Sequence, residues 1–172
     1  MFGETQLAET PTTDPAMLLG RSVEVSVSEL LNQPAKYYMK ILFKIIDVDS
    51  RNAYTRFNGY LASREYIYRM VRKRSQKVEC IDNFDTRDGW KLQITSVAIL
   101  NRNTESEIQK KMREVVRKHI SETLKKSGTD ELMKKIIEGS IQKEIRKMGN
   151  KIYPVRFFDI AKIEVLKAPE AK

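Results

Sequence analysis

His119 and Cys80 are the single histidine and single cysteine of this 172-residue chain, and the residues best suited to nucleophilic or metal chemistry. His119 sits between Lys118 and Ile120 on a basic, helix-patterned stretch, with no second histidine to share a metal. Cys80 lies inside an alternating apolar run, which reads as a buried structural thiol; pairing of the two in space stays open. One cysteine excludes an internal disulfide and an all-cysteine zinc site. Asp82, Asp85 and Asp88 could converge on a metal, yet beside Gly89 they read first as turn formers. The run Asp47 to Asn52 fails as a calcium loop, because Arg51 stands at position five, Asn52 at the position needing glycine, and Asn58 at position twelve. No glycine-rich phosphate loop is present. The expectation is a protein without enzymatic activity, cofactor, metal or small-molecule substrate.

Binding chemistry is better represented. The chain carries 32 Lys and Arg against 23 Asp and Glu, a net charge of +9. Residues 1–62 hold six cations and seven acids, and residues 63–172 hold 26 and 16, so the whole excess follows Ser63. Clustering of this kind points to a polyanionic partner, since phosphates bound by Lys and Arg release condensed counterions. Arg64, Tyr68 and Arg72 fall at i, i+4 and i+8 of one helical stretch and would line one stripe. Arg69 and Lys73 form the neighbouring row, and Arg74 and Lys77 extend the patch. Guanidinium groups fork onto phosphates, and an interleaved tyrosine supplies a stacking surface suited to irregular RNA. A second stretch offers Lys110, Lys111, Arg113, Arg117 and Lys118, tempered by Glu107, Glu114 and Glu122; a salt-bridged solvent face reads equally well there.

These side chains must be positioned by a mixed fold. Asp14-Pro15 through Gly20 predicts one helical turn, and Val23, Val25 and Val27 an alternating strand. Strands follow from about Met39 to Val48 and from Ala53 to Phe57, with a turn over Asp49-Ser50-Arg51-Asn52. Ser63 caps a short helix through about Arg74, with Glu65 in its first turn. Val78 to Phe84 and Trp90 to Leu100 form a hairpin around Asp88-Gly89. Thr104 and Glu107 make a capping box for a helix with Ile108, Met112, Val115, Val116, Ile120 and Leu124 on its apolar face. Ser127-Gly128 stops it, and a second helix carries Leu132, Met133, Ile136, Ile137, Ile141 and Ile145. After Pro154 a final strand carries Phe157, Ile160, Ile163 and Val165. The order predicts one α+β domain over residues 1–172, with a mainly antiparallel, barrel-like sheet and one short and two long flanking α-helices. Residues 1–16 and 167–172 are expected to be flexible. No apolar run reaches the ~20 residues of a membrane span, and no signal-peptide pattern opens the chain, so a cytoplasmic location without a membrane partner is expected.

The pieces also fit a known pattern in register. Asp14-Pro15, Leu19-Gly20-Arg21, Val23-Glu24-Val25, Ala53-Tyr54-Thr55, Phe57-x-Gly59 and Ser63-Arg64-Glu65-Tyr66 running into Val71-Arg72-Lys73-Arg74 open it. Asp88-Gly89-Trp90-Lys91-Leu92, Lys111-Met112-Arg113-Glu114-Val115 and Lys151-Ile152-Tyr153-Pro154-Val155-Arg156 complete it. From about Phe2 to Leu166 the chain resembles the small-subunit ribosomal protein 3a family of archaea and eukaryotes, closer to the compact archaeal form. The resemblance implies a barrel-like core with flanking helices and a structural role on the small-subunit platform near the messenger exit. It implies contacts with ribosomal RNA, including its 3′ region, and with neighbouring platform proteins, in the ribosomes of the cytoplasm. Arg64, Arg72, Lys73, Arg74, Lys111, Arg113 and Arg156 are the basic positions it carries over. Two departures stand out: the basic, aromatic-containing segment that usually opens family members is absent before Met1, and Tyr60 follows Gly59 where a basic or histidine-like residue is usual. Two other readings remain at this level: a module docking on an acidic protein, and an RNA-processing enzyme built on Asp82, Asp85 and Asp88.

Overall fold

The computed structural model describes residues 6–12, 14–49 and 52–169. Its residues fall into two compact units, one up to Ser63 and one from Arg64 on.

The first unit opens with a 3-10 turn, Pro15–Leu18, started by its proline. β1 (Ser22–Ser26) leads into α1 (Val27–Leu31), and a second 3-10 turn, Pro34–Lys36, precedes β2 (Met39–Val48) and β3 (Ala53–Ala62). β1, β2 and β3 lie side by side and antiparallel. Alternation sets the faces, with Met39, Ile41, Phe43 and Ile45 buried and Lys40 and Lys44 exposed. Val27 does not continue the strand. The Ser26 hydroxyl accepts the Ser28 amide at 3.3 Å and caps a helix that Asn32 ends at φ 51°. β3 runs five residues beyond the expected Phe57, because a register shift between Leu42/Gly59 and Phe43/Phe57 absorbs Asn58 as a bulge. At the β2–β3 turn the Asp49 amide donates to the Asn52 carbonyl at 2.8 Å; Ser50 and Arg51 lie outside the described residues. Asp47 uses its own carboxylate to accept the Val48 amide at 2.9 Å, a local turn contact.

The second unit contains α2 (Arg64–Met70), β4 (Gln76–Asp85), β5 (Lys91–Leu100), α3 (Ser106–Lys126), α4 (Thr129–Glu138), α5 (Ser140–Gly149) and β6 (Val155–Lys167). β5 lies between antiparallel β4 and β6 and is its most buried strand, with Val97 to Leu100 all inside. The α+β class and the antiparallel pairing agree with expectation, while the three strands of either unit form an open sheet and do not close by themselves into a barrel.

Four local expectations change. α2 stops at Met70, four residues short of Arg74. The capping box does not form: Glu105 is the N-cap without a side-chain bond, and the buried Thr104 hydroxyl has no hydrogen-bond partner. The second long helix is two, because Gly139 at φ 80° breaks it between Glu138 and Ser140. With α1 added and this helix split, the described residues form five helices in place of three. The β4–β5 hairpin also has a five-residue loop, Thr86 to Trp90, with only Gly89 in the left-handed region at φ 78°. Asp88 is drawn away to cap α4, its Oδ2 accepting the Thr129 amide at 2.8 Å. Glycine at position 128 makes room for that carboxylate, since a Cβ there would come within 2.4 Å of Asp88 Oδ2.

Candidate nucleic-acid interface

Every basic residue singled out from the sequence lies in the second unit, but the structure divides them into two groups. The first surrounds the start of β4. Arg64, Tyr68 and Arg69 are on α2, whose Tyr66 packs edge-on against Phe157 of β6 with ring centroids 5.8 Å apart. Because α2 ends at Met70, Arg72 does not continue the Arg64–Tyr68 stripe. Arg72, Lys73 and Arg74 instead form a tight turn held by Ser75, whose hydroxyl accepts the Arg72 amide at 3.0 Å while its own amide donates to the Arg72 carbonyl at 3.0 Å. Arg74 adopts φ 71°, a left-handed conformation that residues bearing a Cβ resist. Sequence spacing gave no sign of either the clamp or the strained arginine.

Lys77 follows in β4 and places its Nζ 5.6 Å from the centre of the Tyr68 ring while pairing with Glu79 at 2.5 Å. Tyr68 is 61% exposed and offers its ring to solvent. Gln76 pairs with Leu100, and Leu100 with Val155, so Arg156 at the start of β6 belongs to the same end of the sheet. Among the described residues, the side chains of Arg64, Arg69, Arg72, Lys73, Arg74 and Arg156 make no ion pair.

The second group is on α3, which runs beside β4 in the same direction. Arg113 Nε donates to the Glu79 carbonyl at 3.1 Å, and Arg117 Nη2 meets Asp82 Oδ1 at 2.7 Å. Arg113 thus satisfies a backbone carbonyl of an edge strand, and Arg117 holds one of its side chains. The Asp82 hydrogen bond raises Arg117 still further above its ordinary pKa. Lys111 pairs with Glu107 at 2.6 Å, which holds Glu107 below and Lys111 above their ordinary values. Lys110 precedes Arg113 by three residues on the same row and, like Lys118, makes no ion pair among the described residues.

The enzyme candidates are separated and occupied. Asp82 holds Arg117, Asp85 lies 3.7 Å from Lys91, and Asp88 caps α4. Cys80 is buried, and burial pushes its thiol up to about 11, although Arg113 pulls the other way. His119 Nε2 lies 3.0 Å from Glu144 of α5. The pattern did not reveal Asp159, buried on β6, whose Oδ1 accepts the Ile160 amide at 2.8 Å and Gln142 Nε2 at 3.1 Å; burial raises its pKa. No described helix is long and apolar enough to cross a membrane.

Comparison with known proteins adds an independent line. The sequence pattern of the Ribosomal S3Ae family matches residues 1–169. The small ribosomal subunit protein eS1 of Methanothermobacter thermautotrophicus is 36% identical over 169 residues, covering 98% of this chain and 87% of the relative. Those of Archaeoglobus fulgidus and Methanopyrus kandleri are 34% and 32% identical, each over 98% of this chain and over 81% and 82% of their own lengths.

Proposed function

Since the chain belongs to the ribosomal S3Ae family, we propose that it is a structural constituent of the small ribosomal subunit, binding ribosomal RNA and catalysing no reaction. The observation that carries the RNA-binding part is the cluster near the start of β4, where six cations without an ion pair among the described residues accompany an exposed tyrosine. Uncompensated positive charge on a folded surface repels itself and is relieved by phosphate. The turn from Arg72 to Ser75 presents three successive cations on a rigid loop, and Tyr68 can stack on an unpaired base. Recognition of this kind follows the shape of folded RNA and its backbone more than its sequence.

Arg64, Arg69, Arg72, Lys73, Arg74, Lys77 and Arg156 with Tyr68 form the principal surface in this proposal, and Lys110, Lys111 and Lys118 a flank. Arg113 and Arg117 contribute through charge while holding α3 on β4. The 3′ region of the small-subunit RNA and adjacent platform proteins are the partners the family resemblance suggests, and the whole chain acts as one ribosomal module in the cytoplasm.

The test is sedimentation of the chain with small subunits through sucrose gradients at moderate and high salt. Co-migration at moderate salt is expected, with release from bare ribosomal RNA as salt rises. A chain that stays at the top of both gradients and binds no ribosomal RNA overturns the proposal.

A further inference from the structure

The second unit contains a depression of about 390 Å³ between α3, the end of α5 and the turn that follows, away from the β4 surface. Its floor is apolar and comes from three elements: Val115 of α3, Met148 of α5 and Ile152 of the turn. Two cations stand at it, Lys118 and Lys151, thirty-three positions apart in sequence and without an ion pair among the described residues. The His119 ring forms a wall, fixed by Glu144 through its Nε2 and only 17% exposed. Glu122 adds a carboxylate.

We infer that this depression receives one unstacked nucleobase of the bound RNA, with the flanking phosphates on Lys118 and Lys151. The inference rests on the RNA-binding reading above and adds a subsite to it. A nucleobase is a flat body with two weakly hydrated faces, a hydrogen-bonding edge and an anionic backbone at its perimeter. The depression supplies the complement of each. Val115, Met148 and Ile152 meet a face, the His119 ring offers a stacking partner, and Glu122 accepts from an N–H on the base edge. Its volume falls within the ~300–1,000 Å³ of small-ligand sites, too small for a helix. An acidic peptide fits less well, because Glu122 in the lining and Glu144 behind His119 oppose its carboxylates.

The test uses fluorescence anisotropy with two labelled single-stranded 12-mers, one of adenylates and one with the same backbone but abasic at its four central positions. The native chain is expected to bind the adenylate strand about tenfold more tightly, the scale of a single base–aromatic stack. Val115→Trp fills the depression and is expected to cut that preference severalfold, leaving only what Tyr68 contributes, while keeping the salt dependence. Lys118→Ala with Lys151→Ala, two exposed positions that leave the fold intact, lowers the salt slope by about 1.4 for either strand, as expected for two lost phosphates. Equal affinity of the native chain for both strands overturns the inference. So does a folded Val115→Trp chain that keeps the full preference, or one that loses affinity for an acidic, phenylalanine-containing peptide and not for RNA. In each of those cases sedimentation of the chain with small subunits still decides the broader proposal on its own.

Discussion

Arg72-Lys73-Arg74 and the pair Arg113 and Arg117 look alike in sequence, yet they answer to different constraints. The first three are held by their backbone: Ser75 clamps the turn, and the side chains make no ion pair among the described residues. The second two are held by their side chains, one on a β4 carbonyl and one on Asp82. A cation whose position is fixed through the main chain keeps its hydrogen-bonding capacity for a ligand. A cation that is itself the fastening has already used part of it. The lesson is that charge density identifies a basic surface, while the partners of each guanidinium decide what it does there.

The largest expected effect breaks the first region alone. Replacing Arg72, Lys73 and Arg74 with Ala is expected to weaken ribosomal RNA binding about a hundredfold at low salt. It should flatten the salt slope by about two to three for three lost phosphates. The melting temperature should stay where it was, because those side chains fasten nothing. Filter binding over a salt series and a thermal melt together check this, and an unchanged slope would remove the turn from the interface.

Arg113→Ala with Arg117→Ala should show the opposite balance. Removing the Arg113 bond to the Glu79 carbonyl costs about 1 kcal/mol, and loss of Arg117 leaves Asp82, itself 16% exposed, without its cation. Lower stability with a modest loss of RNA affinity is expected. Cys80 reports the same event chemically, since it is the only thiol and lies buried close to both arginines. In the native chain its labelling should remain slow up to about pH 9, where an exposed thiol is already half ionised, because its own pKa is about 11. The sign for stability follows. The folded state keeps the Cys80 proton longer than the unfolded state, so stability falls as pH rises from about 9 towards 11. Faster labelling in the double variant, and not in the turn variant, would confirm that α3 is fastened where the turn is not. Equal labelling rates in the two variants would end the distinction.

Much of this architecture was legible. Alternation found β2 at its observed bounds, and Pro15, Ser127-Gly128 and Pro154 marked boundaries correctly, because those signals are local backbone chemistry. The helix break at Gly139 was hidden, since the apolar spacing of Leu132 to Ile145 continues across it and one glycine in a helical pattern is tolerated. The capping box failed for a related reason: a four-residue pattern does not say how the chain leaves β5, and the helix starts two residues after Thr104. Cross-element fastenings were the least legible. Arg117 and Asp82 are 35 residues apart and Asp88 and Thr129 41 apart, and neither spacing leaves a periodic trace. The basic cluster could therefore be located from sequence, while its division into free and committed cations could not.

The smallest effect sharpens the comparison most, because it separates conformation from charge within one residue. Arg74 sits at φ 71°, where an L-residue pays roughly 1–2 kcal/mol relative to its preferred regions. Glycine removes that strain but gives the unfolded chain about 0.5–1 kcal/mol of extra freedom. Arg74→Gly is therefore expected to leave stability unchanged or raise it by up to ~1.5 kcal/mol, while weakening RNA binding severalfold through one lost phosphate contact. Arg74→Ala loses the same cation and keeps the strain, so it should match the glycine variant in RNA affinity and fall below it in melting temperature. A residue kept in a strained conformation at no benefit to folding is one whose side chain is wanted where that conformation points it. If Arg74→Gly instead melted lower than the native chain and bound RNA equally well, the turn would be serving the fold, and the two basic regions would differ only in how they hold β4.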